Sequence, residues 1–187
     1  HAYLRRVGLM APATQCSAET LAYDTALLLA RSQHGGHPVH GLALDWSKCY
    51  DHLNVRLLRR LGEAIRMPAA LLEPMLGAYS QPRSGLVDGM VAPARTPSAG
   101  LAPGCPRATD WLCLLVHCYT SPVDALADTR ARSYVDDITT TTTVPAAEAP
   151  ALVGEIVEHT MRYAADLALQ PNIGKSRRFS TDAGVRA

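Results

Sequence analysis

The stretch RSYVDDITTTTT, residues 132–143, sets Asp136 and Asp137 side by side between a Tyr-Val pair and a run of β-branched residues. Adjacent carboxylates repel, and more so where water is excluded. Two uses of such a pair stand open. One is a solvated turn, where Asp is at home. The other is a divalent cation that takes up both charges. A third carboxylate bears on the choice. Asp45 comes near the end of VHGLALDW, residues 39–46, a short apolar segment that reads as a buried strand delivering a functional residue at its C-terminal end. If that strand lies beside the Asp-Asp hairpin in one sheet, three carboxylates converge at one edge. Left unpaired they are costly, and a divalent metal relieves the cost. Mg²⁺ is commonly held by one or two carboxylates together with substrate phosphates. Two such ions can activate an attacking hydroxyl and stabilise a leaving pyrophosphate.

The elements that must position these groups follow from periodicity. Residues 17–31, SAETLAYDTALLLAR, read as a helix capped by Ser17. NVRLLRRLGEAI is an amphipathic helix with Val55, Leu58, Leu61 and Ile65 on one face. Pro68 opens PAALLEPMLGAYS, in which Pro74 is expected to kink the helix or end it early. Residues 81–107 are rich in proline and read as irregular structure around one hairpin, turned by Asp88-Gly89. TDWLCLLVHCY, residues 109–119, is the most apolar helix; it places Cys113, His117 and Cys118 in the core. A long amphipathic helix begins at or after Pro150, and KSRRFS reads as a final strand. The mixed order indicates an α+β fold.

Composition limits the alternatives. The 187 residues are 48% hydrophobic, a globular composition sufficient for a sizeable core. Aromatics make up only 5%, so the core leans on Leu, Ala and Val. The net charge of +1 carries no global basic field, and any nucleic-acid contact has to come from local patches. Cys16, Cys49, Cys105, Cys113 and Cys118 are odd in number and form no Cys-x-x-Cys pair, which fits a reducing, intracellular compartment. No apolar run approaches membrane-spanning length. His34, His37 and His40 flank Gly-Gly and Pro with no carboxylate or Cys at zinc spacing, so zinc is not expected there.

Four segments in order resemble the palm motifs of reverse transcriptases, most closely those of non-LTR retrotransposons. LALDWSKCYD is similar to the first motif through Asp45, Lys48, Tyr50 and Asp51. AGLAPGCP is similar to the second through Gly100, Gly104, Cys105 and Pro106. YVDD, beginning at Tyr134, resembles the third, and LALQPNIGKS resembles the fourth through Asn172 and Lys175. The similarity runs from about Gln15 to Ser180.

The resemblance implies a right-hand polymerase palm, an antiparallel sheet backed by helices. Residues 1–38 would be partial fingers and 39–187 mostly palm of a single domain fragment, with the N-terminal fingers and the thumb outside it. It implies two Mg²⁺ (or Mn²⁺) ions on Asp45 and Asp136 with Asp137 in support, an RNA template, a DNA primer and dNTPs. Tyr50 falls where the family keeps an aromatic beneath the incoming sugar, leaving no room for a 2′-hydroxyl. Gly104 and Lys175 would face the nucleotide. Two departures stand out. Pro103 replaces the usual Gln and offers neither a side-chain hydrogen bond nor an N–H. Arg107-Ala108-Thr109 replaces the usual Leu-Ser-Pro. Three alternatives stay open: an inactive copy that only binds metal or nucleic acid, an RNA-dependent RNA polymerase, and a structural module whose acidic tip binds Mg²⁺ or Ca²⁺.

Overall fold

A computed structural model of the chain describes residues 17–35, 37–102 and 105–185. In chain order the elements are Ala18–Gln33 (α1), His40–Leu44 (β1), Trp46–Ser47 (β2), Cys49–His52 (α2), Val55–Ala64 (α3), Ala69–Tyr79 (α4), Leu86–Val87 (β3), Met90–Val91 (β4), Pro106–Asp124 (α5), Thr129–Tyr134 (β5), Asp137–Thr142 (β6), Ala149–Leu167 (α6), Gln170–Pro171 (β7) and Arg177–Ser180 (β8). They divide into two compact units. One takes in the chain up to Ser47 and from Leu112 onward, and the other is Lys48–Trp111. None of the described helices is long and apolar enough to cross a membrane.

The first unit is built on a four-stranded antiparallel sheet in the order β5-β6-β1-β8. Strand alternation sends successive side chains to opposite faces. Leu42, Leu44, Ala131, Ser133, Ile138, Thr140 and Thr142 point inward and are buried. The threonine run is therefore a strand whose inward hydroxyls lie in the core. Beneath the sheet α5 and α6 are joined by the Tyr119 and Thr160 hydroxyls, 2.8 Å apart, and by the Tyr163 hydroxyl, which donates to the Leu115 carbonyl. Three of the aromatics meet here. Trp46 meets Tyr119 edge-on with ring centroids 6.3 Å apart, and Tyr163 and His159 complete the cluster. Each such ring pair adds about 0.5–1.5 kcal/mol beyond the area it buries. Leu44 and Trp46 are both buried, so Asp45 is held between two core anchors with its own side chain on the other face.

In the second unit α3 packs on α4. Asn54 caps α3 by accepting the Arg56 amide, and Leu58, Leu72 and Leu76 fill the contact. Gly62 lies against Leu72 and the Trp111 ring. Beyond α4 the exposed hairpin β3–β4 turns at Asp88-Gly89 as expected.

Several expectations need correction. Pro74 does not end α4, which runs on to Tyr79, where Leu72, Leu76 and Tyr79 bury the helix on both sides of the proline. The segment 39–46 is not one strand: β1 stops at Leu44, and Trp46 pairs instead with Pro171. α6 starts at Ala149, one residue before Pro150, because proline is tolerated in a first turn whose amides lack helical partners. α5 continues past Tyr119 to Asp124 through Pro122. Its buried positions include Trp111, Leu112, Leu114, Leu115, Val116, Tyr119 and, past the expected end, Val123. Cys118 is exposed and Cys113 only half-buried, so that trio is not core.

Candidate active site

The last pair between β1 and β6 is Leu44 with Ile138. One step further along the same antiparallel register lie Asp45 and Asp137. The last pair of the hairpin is Tyr134 with Asp137, which leaves Val135 and Asp136 as a two-residue turn. Val135 has φ +55°, a left-handed conformation unfavourable for a β-branched residue. The packed strands on either side hold it there.

Asp137 shows what this convergence costs. Its side chain reaches solvent, yet its carboxyl is pushed above the ordinary range. Partial loss of hydration is the largest cause, and repulsion by Asp136 and then Asp45 adds to it. Lys175 acts in the opposite sense. Its ammonium stands 3.8 Å from a carboxylate oxygen of Asp45, and its side chain is 72% exposed, so the pair is long and well screened. Three carboxylates thus share one end of one sheet, with the Lys175 ammonium near Asp45. Among the described residues no three acidic, His or Cys side chains close into a ready-made metal cage. The arrangement suits a hard cation that takes one or two carboxylates and completes its shell with water or phosphate oxygens.

The fourth-motif segment grips Asp45. The Asn172 amide donates to the Asp45 carbonyl at 2.8 Å. The Asp45 amide donates to the Ser176 hydroxyl at 3.2 Å. The Asn172 carbonyl in turn accepts the Lys175 and Ser176 amides at 3.0 and 2.8 Å. Ser176 was not singled out from sequence; its place directly after Lys175 in the motif was the available signal.

The remaining motif residues lie in the second unit. Lys48, with φ +50°, precedes α2, which carries Tyr50 and Asp51. The Leu101 amide donates to the Tyr50 carbonyl and the Gly100 amide to the Leu53 carbonyl, both at 2.8 Å. Gly100 has φ +99°, and a Cβ there would stand 3.3 Å from the Asp51 carbonyl oxygen. First-motif and second-motif backbones are thereby tied together. The Tyr79 hydroxyl lies 3.4 Å from the Cys105 sulfur, and this contact, with the Arg107 and Ala108 amides, holds the thiol below its usual range. Pro106 begins α5. Pro103 and Gly104 lie outside the described residues. His40 is buried, with Nδ1 2.9 Å from the Ser180 hydroxyl.

No family model and no curated protein matches this sequence. Solved structures do. The telomerase of Candida tropicalis in complex with the TWJ fragment of telomeric RNA superposes with a TM-score of 0.73 at 11% identity, over 98% of this chain and 33% of that one. The apo telomerase of the same organism gives 0.69 at 12% identity, over 98% of this chain and 35% of that one. The Candida albicans telomerase in complex with the TWJ fragment gives 0.67 at 14%, over 95% and 33%. The chain spans about a third of the length of the solved chains it matches. At such identities the likeness concerns fold: this chain shares the α+β, reverse-transcriptase-like fold present in telomerase.

Proposed function

We propose that this chain carries the palm of an RNA-directed DNA polymerase of the non-LTR retroelement kind, joining dNTPs to a primer 3′-hydroxyl on an RNA template. The observation that carries the reading is geometric: Asp45 and Asp137 lie one step past the last β1–β6 pair, with Asp136 in the adjoining turn, at the end of one antiparallel sheet. The fold shared with telomerase, itself an RNA-directed DNA polymerase, supports it. Asp45 and Asp136 would hold Mg²⁺ or Mn²⁺, with Asp137 beside them. When bound, two such ions activate the attacking hydroxyl and stabilise the leaving pyrophosphate. Asp45 and Asp136 present acceptor oxygens from a rigid strand end and a tight turn. Lys175 offsets part of their charge. Tyr50 would exclude a 2′-hydroxyl and so select deoxynucleotides.

A second reading, a copy that keeps the acidic centre without turnover, is favoured by Pro103, which cannot make the contacts of the usual Gln. Primer extension on RNA and DNA templates with Mg²⁺ or Mn²⁺ separates the two. Extension that falls roughly a hundredfold or more in Asp136→Ala supports polymerase chemistry. No extension, with Mn²⁺ binding that depends on Asp45 and Asp136, supports the second reading. Extension unaffected by Asp136→Ala overturns the assignment of the site.

A further inference from the structure

We propose that Ser176 is the positioning residue for the Asp45 carboxylate, receiving the Asp45 amide where the sheet ladder stops. The proposal rests on the metal-binding reading above. β1 pairs with β8 from His40–Ser180 to Ala43–Arg177 and with β6 as far as Leu44–Ile138. Asp45 lies past both ladders, so its backbone groups have no strand partner of the regular kind. The segment 172–176 supplies substitutes. It holds the Asp45 carbonyl through the Asn172 amide, the Asp45 amide through the Ser176 hydroxyl, and one carboxylate oxygen at longer range through Lys175.

These three contacts differ in what they demand of the sequence. The carbonyl contact is backbone to backbone, and any residue with an N–H serves at position 172. The Lys175 contact is long and exposed. The amide contact alone requires a short side chain with an acceptor oxygen on Cβ. Asp45 and Asp137 lie opposite each other one step past the last β1–β6 pair, and a strand end freed at its amide is less firmly held there. A ligand that has drifted binds metal more weakly, because the cation must then do the ordering.

The test uses the chain as it stands, with Mn²⁺ alone as the probe, titrated by calorimetry or electron paramagnetic resonance. Ser176→Ala is expected to weaken Mn²⁺ binding about three- to tenfold, the equivalent of one ordinary hydrogen bond. Ser176→Thr, which keeps the oxygen on Cβ, restores it. Ser180→Ala removes the hydroxyl beside the buried His40 ring and leaves Mn²⁺ affinity unchanged, which separates positioning from general loosening of β8. Hydrogen exchange at the Asp45 amide should quicken in Ser176→Ala while the Leu42 amide stays protected. If Ser176→Ala does not fold, Ser176→Cys, with its weaker acceptor, is expected to show the same direction of change. Wild-type Mn²⁺ affinity in the folded Ser176 variant, with binding abolished by Asp45→Asn, overturns the proposal and leaves the metal reading intact. Binding untouched by Asp45→Asn removes the metal reading and this proposal with it.

Discussion

Among the described residues, two hairpins have two-residue turns, and they are built on opposite principles. β3–β4 turns at Asp88 and Gly89, with φ of +51° and +78°. These residue types suit such angles, and the local sequence alone favours the turn. Its strands are only two residues long, and Leu86, Val87, Met90 and Val91 are each at least 64% exposed. β5–β6 turns at Val135 and Asp136, with valine in a conformation that costs about 1–2 kcal/mol in an L-residue. Its strands are six residues each and alternate regularly into the core. Turn chemistry makes the first hairpin, whereas packing imposes the second against its turn chemistry. Strained backbone persists where the surroundings over-determine it, and such places cluster at functional sites. Here the strained turn is the one that presents Asp136 and Asp137.

If packing holds the β5–β6 hairpin, removing packing should damage it and leave the other alone. Ile138→Ala, at a position 2% exposed, is expected to cost about 2–5 kcal/mol in urea unfolding. Met90→Ala, at 72% exposed, should stay within about 0.5 kcal/mol. Equal costs would break the comparison. A smaller effect of opposite sign sharpens it. Val135→Asn places a residue tolerant of positive φ in the strained turn and should stabilise the chain by about 1 kcal/mol. An unchanged or lower stability would mean that the valine side chain repays its strain through packing.

The smallest effect concerns charge. The folded-state pKa of Asp137 is raised, so the folded chain holds that proton more tightly than the unfolded chain. The associated stability is fully present below the ordinary carboxylate value and is lost as pH rises through the raised value. Asp137→Asn should therefore raise the melting temperature at neutral pH by roughly 1–2 °C, a modest gain because the group reaches solvent. The gain should shrink as pH falls toward the ordinary carboxylate range. A gain independent of pH would place its cause in packing rather than in repulsion among the three aspartates.

Much of this was legible in the chain itself. The short apolar run 39–46 and the β-branched run after Asp137 mark strands, and Ser17 and Pro68 mark helix starts. Both are local signals carried by side-chain type. The structure then sets Leu44 and Trp46 inward and leaves Asp45 on the other face. The four motifs in order pointed to the fold. Local chemistry misled where tertiary packing outweighed it. Pro74 and Pro122 sit inside helices because buried neighbours on both sides hold those helices together. The break between Leu44 and Trp46 is not in the pattern at all: it arises because Pro171 draws Trp46 into a second ladder.

Residue types along the chain determined that acidic groups would stand at a strand end and at a hairpin tip. Only the tertiary structure decided that β1 and β6 are neighbours in a register carrying Asp45 toward Asp137, and that the segment 172–176 closes on Asp45 through Ser176. The physical reason is range. Periodicity and capping act over a few residues, whereas strand pairing and the orphaned amide at the end of a ladder are settled by partners more than ninety residues away in sequence.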